Sequence, residues 1–534
     1  MQHITVPLRS DSDPESSLIA SLLARAVAQF PEAVAVVDGA RRRTYRELGD
    51  RVARLAGAWQ ALGALPRDRV AILAENSGDF LEAYFAAAWS GTVLAPLNWR
   101  NHPDGLARVV AHAEAKLLVA TPRFAELAAA TLAAHANLLP PPAGRPPLLL
   151  LDDAFGAALS GVAPLPRAVV EPDDPAHLYY TSGTTGDAKG VILTHRNVTS
   201  HALLAIAALE LTDRDTWGHI APMFHLADAW ATFAITWVGG CHVMVREFVP
   251  AQVLDVLAGG VTITNLVPTM LVDLVHQPGA AARRYPALRR VLSGGAPIAP
   301  ALVAKVMATF GAEYVQTYGL TETSPYLTMS LLTEKLQRLP PEQQFAWRCK
   351  TGRPLAGVEV RVVREDLSDV APDGREVGQI VCRGDTVTPG YWRNPAATAA
   401  AFRDGWLCTG DLAVRDAEGF LHIVDRAKDV IKSGGESIYS TEVEQVLFAH
   451  PAVQEAAVIG LPHPRWGEAV VAVVVRRAGA SADGEALLRH CRAQLGGPQV
   501  PKAVVFRDAL PRTGSGKISK RLLRDALKDE VLPG

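Results

Sequence analysis

Residues 180–191 read Tyr-Thr-Ser-Gly-Thr-Thr-Gly-Asp-Ala-Lys-Gly-Val. Thr181, Ser182, Thr184 and Thr185 offer hydroxyl donors, and Lys189 adds a compact charge suited to phosphate. Gly183, Gly186 and Gly190 let backbone N–H groups approach a ligand closely. Together they describe a cradle for a triphosphate. It is not the common P-loop, where Gly-Lys runs directly into Ser or Thr, because Gly190 follows Lys189. The alternative is a solvated Gly/Ser/Thr loop. Four hydroxyls, three glycines and a lysine within ten residues favour the ligand. The apolar run 177–180 and the helix-compatible run 197–209 predict a strand, then the loop, then a helix.

Other constellations carry chemistry of the same kind. In Gln316-Thr-Tyr-Gly-Leu-Thr-Glu322, Tyr318 offers a flat face for a purine, Thr321 a hydroxyl, and Glu322 a hard oxygen for magnesium. Alone it would be a strand-end turn with a surface glutamate. Ser293-Gly-Gly-Ala-Pro297 follows a strand candidate, where α/β sheets gather ligands; it could equally be an ordinary strand-to-helix turn. Asp411, in Thr409-Gly-Asp411, is a carboxylate able to accept two hydrogen bonds from a ribose diol, although an isolated Thr-Gly-Asp would be only a turn. His225 closes Pro222-Met-Phe-His225, and a lone histidine of this kind is usually core. Asp228 reads as the N-cap of an apolar helix over 229–237, and Trp230 and Trp237 read as core packing. Pro511-Arg-Thr-Gly-Ser-Gly-Lys517 is a mobile turn presenting one lysine, with Lys520, Arg521 and Arg524 as a solvated basic tail.

The elements that must position these groups follow from the pattern of the 534 residues. About half are apolar and one-fifth charged, and a formal charge of −2 argues against a nucleic-acid partner. Cys241, Cys349, Cys382, Cys408 and Cys491 are scattered, without metal-ligand spacing, which suits a reducing cytosol. Residues 1–17 lack the apolar core of a secretory signal, and no run approaches a membrane span, so a cytoplasmic location is expected. Strand candidates at 33–37, 70–74, 93–97, 116–120, 242–245, 262–267, 290–292 and 313–316 alternate with amphipathic helices, which argues for parallel α/β sheets. Thr44-x-x-Glu47 is a capping box. Residues 138–147 are a proline-rich loop, and residues 357–424 read as a β-rich subdomain with a hairpin loop at 416–419. The pattern restarts near 426–429, giving an N-terminal domain 1–425 and a C-terminal domain 426–534. The expected fold is α/β: two α/β sheet subdomains and a small β-rich subdomain, followed by a small α+β domain; that this last domain is mobile is implied only by the family resemblance set out next.

Residues 181–190 resemble the Thr-Ser-Gly-Thr-Thr-Gly-x-Pro-Lys-Gly signature of the adenylate-forming enzymes: acyl-CoA synthetases, luciferases and adenylation domains. Ala188 stands where proline is usual. Gln316–Glu322, the stretch from Gly390-Tyr-Trp to Asp411, and the Lys517 turn resemble further motifs of that superfamily in its order. The resemblance implies that Gly294, Gly295, Ala296, Pro297, Gln316, Thr317, Tyr318, Gly319 and Ile423 contact the adenine end of ATP. It implies Thr181–Lys189 and Thr321 at phosphate, Asp411 with Arg426 at the ribose, and Glu322 with Thr184 at Mg2+. His225, Leu226, Ala227, Ala231, Gly295 and Thr317 would line the acyl pocket, Lys428 would be a hinge, and Lys517, His225, Thr184 and Glu322 would be the catalytic residues. Lys432, Gly434, Gly435, Trp466 and Arg100 would contact CoA. Pro498, Gln499 and Val500 replace residues that are aromatic or basic in many CoA ligases.

What the resemblance implies is an acid–thiol ligase using ATP, CoA and a small-molecule carboxylic acid, with a homodimer as one compatible assembly. In amino-acid-activating relatives an aspartate directly follows the histidine; here Leu226 does. No Arg or Lys occurs over 223–245, which disfavours a dicarboxylate. The small residues Ala227, Ala231 and Gly295 favour a medium-chain, branched or aromatic monocarboxylate. A ligase loading a carrier-protein phosphopantetheine and a non-catalytic ATP-binding protein are the alternatives.

Overall fold

The computed structural model describes residues 17–138, 144, 146–182, 188–296, 298–512 and 518–528. Residues 183–187, Pro297, residues 513–517 and the side chain of Ser182 lie outside what is described. Gly183, Thr184, Thr185, Gly186 and Lys517 are therefore placed by sequence alone.

β-Branched and alanine-rich runs form two large sheets. In the nine-stranded sheet, Glu313–Gly319, Arg290–Ser293, Ile263–Asn265, Thr216–His219, Cys241–Met244 and Val34–Asp38 run parallel. Arg41–Thr44 adds antiparallel at one edge; Tyr326–Met329 and Arg353–Pro354 add antiparallel at the other. In the six-stranded sheet, Leu148–Leu150, Ala115–Ala120, Arg69–Leu73, Val93–Pro96 and Pro175–Ser182 are parallel. The helix Gly78–Ser90 is buried along nearly all its length, so its sequence is apolar all round rather than striped. Its one buried charge, Glu82, accepts from Arg43 Nη1 at 2.6 Å and Arg51 Nε at 2.7 Å. The Thr44–Glu47 capping box forms as its spacing requires.

The final strand of the six-stranded sheet corrects the expected strand–loop–helix order. Ala188–Thr194 pairs antiparallel with Pro175–Ser182, with Thr181 opposite Lys189, before the helix His195–Leu209 begins. Thr181 and Lys189 of the cradle thus stand on paired strands. Gly190 is closely covered there: a Cβ would stand 3.1 Å from the Tyr180 ring, which would have to yield by a few tenths of an ångström.

Residues 359–426 form a five-stranded antiparallel sheet built on Trp406–Arg415, whose hairpin with Leu421–Arg426 closes through Asp416 and Gly419. The short turn Ala427–Asp429 leads to a second five-stranded sheet, ordered Glu436–Ile438, Ile431–Ser433, Gly467–Arg476 and Val453–His463, with Ala503–Phe506 parallel to Gly467–Arg476. The expected solvated basic tail is instead the helix Lys520–Leu527, which buries Leu523 and Leu527. Lys520 pairs with Glu444 at 2.7 Å and Arg524 with Asp429 at 2.7 Å. Val500 is also core, which explains an apolar residue at that position. Among the described residues no helix is long and apolar enough to cross a membrane.

Candidate active site

Turns at the carboxyl ends of parallel strands supply one side of the site. Ser293 ends its strand, and Gly294 and Gly295 turn away from it, Gly295 at φ +80°. A Cβ at Gly294 would fall 2.7 Å from the Thr317 carbonyl oxygen, so the two strands meet too closely there for any side chain. Thr317 is buried, and its hydroxyl donates to the Ser293 carbonyl at 3.0 Å. It braces the glycine turn. Gln316 is half-buried; its backbone N–H donates to Ser330 Oγ at 2.8 Å and its side-chain oxygen accepts from the Tyr314 hydroxyl.

Tyr318, Asp411 and Arg426 form one chain. The Tyr318 hydroxyl donates to Asp411 Oδ2 at 2.9 Å, and Arg426 Nε stands 3.0 Å from Asp411 Oδ1. Antiparallel pairing puts Asp411 directly opposite Arg426. Burial first, and then the Asp411 charge, raises the Tyr318 phenol well above its usual range, so the hydroxyl stays a donor. Ile423, on the same strand as Arg426, packs with Tyr318 against the core of the β-rich subdomain.

The strand carrying Tyr318 ends at Gly319, where a Cβ would overlap the Pro325 carbonyl oxygen. That close approach folds Thr321–Thr323 into a tight turn bearing Thr321 and Glu322. Glu322 Oε1 accepts from the Tyr391 hydroxyl at 2.9 Å, and Lys189 Nζ lies 5.0 Å from the centre of the Tyr391 ring. Tyr391 therefore ties the turn's carboxylate to the lysine of the cradle hairpin. The backbone of its segment straps both: Trp392 N–H donates to the Gly190 carbonyl at 2.7 Å and Thr388 N–H to the Glu322 carbonyl at 2.8 Å. Burial, then the Glu322 charge, raises the Tyr391 phenol. Sequence reasoning missed Tyr391 as a linker. Its only signal was the Gly390-Tyr-Trp stretch.

The helix Leu226–Val238 carries the acyl-pocket candidates. His225 is its N-cap residue, with its ring 4.5 Å from that of Phe224. Leu226 and Ala231 are buried and Ala227 half-buried, its carbonyl accepting from Asn265 Nδ2 and Trp230 Nε1, each at 3.1 Å. Trp230 and Trp237 are core residues; Trp230 packs edge-on against Trp217 at 5.0 Å. Asp228 is not the N-cap. It lies within the first turn, fully buried, because two donors await it in the sheet: Trp217 Nε1 at 3.2 Å and His219 Nδ1 at 2.6 Å. The chain continues from His219 Nε2 to His242 Nδ1 at 3.0 Å and from His242 Nε2 to Thr236 Oγ1 at 3.0 Å. Burial lowers His242 well below the usual range. An acceptor carboxylate at Asp228 sets the donor order: Thr236 to His242, His242 to His219, His219 to Asp228. Both ends of that chain lie on one helix, which is thereby pinned to two adjacent strands.

Arg100 sits on this side of the molecule, 5.0 Å from the Trp99 ring and 5.7 Å from the Phe224 ring, and burial lowers its pKa. The other expected CoA contacts gather on the C-terminal sheet instead. Gly434 N–H donates to the Trp466 carbonyl at 2.9 Å, and Gly434 and Gly435 take φ +61° and +86° in the hairpin tip beside Lys432. Lys432 Nζ donates to Ser437 Oγ at 2.6 Å. Lys428 lies in the turn between the two five-stranded sheets; burial, with Arg426 and Arg524 close by, lowers its ammonium pKa. Two surface cavities, of about 410 and 430 Å³, are lined by none of the candidate residues.

These turns, two carboxylates and the hairpin tip belong to a fold shared with known enzymes. The AMP-binding enzyme family matches residues 23–392, and the AMP-binding enzyme C-terminal domain family matches residues 442–517. A feruloyl-CoA synthase from Amycolatopsis sp is 40% identical over 496 residues, covering 92% of this chain and 96% of that protein. A long-chain-fatty-acid–CoA ligase from Thermus thermophilus is 37% identical over 503 residues, covering 91% of each. The crystal structure of ATP-bound MatB from Rhodopseudomonas palustris superposes with a TM-score of 0.84 at 31% identity, over 96% of this chain and 99% of that one. The fold is that of the adenylate-forming enzymes, and the chain belongs to the AMP-binding enzyme family.

Proposed function

We propose that this enzyme is an AMP-forming acid–CoA ligase working in two half-reactions. First, a carboxylate oxygen attacks the α-phosphorus of ATP, the bond to pyrophosphate breaks, and acyl-AMP forms. Second, the CoA thiol attacks the acyl carbon, the bond to AMP breaks, and acyl-CoA, AMP and a proton are released. The observation that carries this reading is the linkage of Lys189 and Tyr391 to Glu322, in the turn that follows the strand whose Tyr318 holds Asp411. The CoA ligases among the relatives support it.

In this reading Lys189 and residues 181–186 hold the phosphates, with Thr321 beside them. Tyr318 and the Gly294–Ala296 turn receive adenine, and Asp411 with Arg426 takes the ribose hydroxyls. Mg2+ favours one or two carboxylates plus substrate phosphates, and Glu322, with one oxygen engaged by Tyr391, suits that donor set; Thr184 would add a hydroxyl. When bound, the ion would offset phosphate charge. Lys517 stabilises charge building on the carboxylate and α-phosphate. His225 orients the acid carboxylate at the mouth of a pocket bounded by Leu226, Ala227 and Ala231. The small side chains, the uncharged stretch 223–245 and the feruloyl-CoA synthase relative favour an aromatic or medium-chain monocarboxylic acid. The C-terminal domain begins at Arg426, hinges at Lys428, and presents Lys517 in the first half-reaction and the 433–436 loop in the second. Five free cysteines suit work in the cytoplasm, and a homodimer is compatible with the scheme.

The test is acid-dependent ATP–pyrophosphate exchange over acids from acetate to long-chain and aryl, then AMP release with and without CoA. Exchange with one acid class and CoA-dependent thioester formation are expected. Lys517→Ala should abolish exchange yet leave preformed acyl-AMP convertible to thioester. Exchange that never leads to CoA thioester would move the acceptor to a carrier protein, and no exchange would refute the ligase.

A further inference from the structure

Lys189 and Glu322 carry opposite charges on different elements, the strand Ala188–Thr194 and the turn Thr321–Thr323, and both are half-buried. Opposite charges partly shielded from water attract strongly. Yet among the described residues neither makes an ion pair. What each touches instead is Tyr391, itself half-buried. The ring takes the Lys189 ammonium, 5.0 Å from its centre, and the hydroxyl donates to Glu322 Oε1 at 2.9 Å.

Backbone bonds on every side fix where that ring can go. Ile192 N–H donates to the Gly390 carbonyl at 3.1 Å and Trp392 N–H to the Gly190 carbonyl at 2.7 Å, which ties the segment to the strand of Lys189. Thr388 N–H donates to the Glu322 carbonyl at 2.8 Å, which ties it to the turn. Tyr391 N–H donates to Thr398 Oγ1 at 3.0 Å, and Gly390, at φ +145°, has no room for a Cβ against the same threonine. Trp392 Nε1 donates to the His112 carbonyl at 3.2 Å, anchoring the next side chain to another subdomain. A lysine paired with a carboxylate would have to be pulled from it before meeting a ligand. A ring face and a hydroxyl satisfy the two charges without cancelling either, and charges held ready need less reorganisation when a ligand arrives.

We infer that Tyr391 is a positioning residue that keeps Lys189 and Glu322 from pairing with each other, so that the lysine meets the phosphates of the nucleotide unpaired. This rests on the reading above only in taking ATP as the ligand. Binding is therefore measured directly, as the Kd for ATP in EDTA, without acid or thiol. Tyr391→Phe keeps the ring. Tyr391→Leu and Tyr391→Met fill its space without a ring face, and their different shapes guard against a folding failure in one. Each is made with and without Glu322→Gln, and urea unfolding accompanies all of them. Loss of the ring should raise the Kd about 5- to 30-fold, between the worth of an exposed and of a buried ion pair; Tyr391→Phe should stay within about threefold of wild type. Glu322→Gln removes the partner that Lys189 would otherwise find. It should therefore improve ATP binding about fivefold more in the ringless backgrounds than in the wild type. A ring that only packs would lower the urea midpoint and leave the Glu322→Gln factor the same in every background, and that equality overturns the inference. So does a Tyr391→Phe as weak as the ringless variants, or ringless variants that bind ATP like the wild type. A wild type that binds ATP but shows no acid-dependent exchange removes the ligase reading and leaves the role of Tyr391 to these Kd values. A wild type that binds no ATP overturns both.

Discussion

Asp411 offers the sharpest test of how the nucleotide would be held. Its two oxygens already accept from Tyr318 at 2.9 Å and Arg426 at 3.0 Å, and a carboxylate retains lone pairs for about two further donors. In Asp411→Asn the remaining oxygen can keep Arg426, and the new amide can donate to the Tyr318 hydroxyl, which can accept. The fold therefore loses little: Arg426 is 46% exposed, and such half-exposed pairs contribute about 0–1 kcal/mol. A ribose diol loses far more, because only one acceptor lone pair remains for its two hydroxyls and the charge is gone. Hydrogen bonds to charged groups are worth roughly 1.5–3 kcal/mol, so the KM for ATP should rise on the order of 10- to 150-fold. The assay is pyrophosphate exchange at saturating acid with ATP varied, beside urea unfolding of the same protein. Tyr318→Phe is the control. It removes the Tyr318–Asp411 bond but not the carboxylate, so it should move the KM for ATP much less. An ATP KM within about twofold of wild type, or equal effects of the two variants, would refute the assignment.

Glu322→Gln should shift the magnesium dependence of exchange to higher concentration by about tenfold, since a neutral amide is a weaker oxygen donor for a hard cation; an unchanged titration refutes the role. Gly319→Ala should destabilise the protein by about 3 kcal/mol, because the added Cβ overlaps the Pro325 carbonyl, and should cost activity by displacing Glu322; urea unfolding checks the first and exchange the second. Stability should also fall with acidity. Burial lowers His177 and His201 to about 3 and His195 to about 4. Above about pH 6.5 the imidazoles are neutral in both states; below it only the unfolded chain takes up protons, so stability is lost as pH falls. The loss is on the order of 2 kcal/mol per imidazole by pH 5. His201 Nε2 accepts from the Tyr326 N–H at 3.2 Å, which protonation would destroy. His201→Gln, still an acceptor, should flatten the urea midpoint between pH 7 and pH 5, and a wild-type midpoint unchanged over that range refutes the reasoning.

Much of the fold was legible because its strands are local apolar runs. The candidates at 70–74, 116–120 and 290–292 coincide with Arg69–Leu73, Ala115–Ala120 and Arg290–Ser293 to within a residue. The candidate at 262–267 shortens to Ile263–Asn265, because Pro268 starts a helix. Thr216–His219 was missed: Thr-Trp-Gly-His has no apolar run, and its burial comes from neighbours on both sides. Ala188–Thr194 was missed because glycine and lysine at its start read as loop, while its pairing partner lies across the hairpin. The site divides in the same way. Residue types and local turns marked Glu322, Asp411 and the Gly294 turn. Nothing local shows that Tyr391 would join Glu322 to Lys189, or that Lys502 would reach Trp466, because those pairs are 69, 202 and 36 residues apart and are set only by the sheets.

Asp228 shows why such misreadings matter for mechanism. As an N-cap it would have been a local device, replaceable by serine at small cost. As a buried carboxylate it is the end of a chain through His219 and His242 back to Thr236 on the same helix. Removing one member of a buried set leaves its partner uncompensated, a loss of roughly 3–5 kcal/mol, so the helix start bearing His225 is held to the sheet far more firmly than capping would hold it. The junction to the C-terminal sheet is tied differently. Asp425 accepts from the Ser440 N–H at 2.5 Å and hydroxyl at 2.6 Å, Arg426 pairs with Asp411 at 3.0 Å, and Asp429, in the turn at 427–429, pairs with Arg524 of the last helix at 2.7 Å. A pinned acid end is what the proposed scheme needs, since acyl-AMP must stay fixed while Lys517 gives way to the glycine loop beside Trp466.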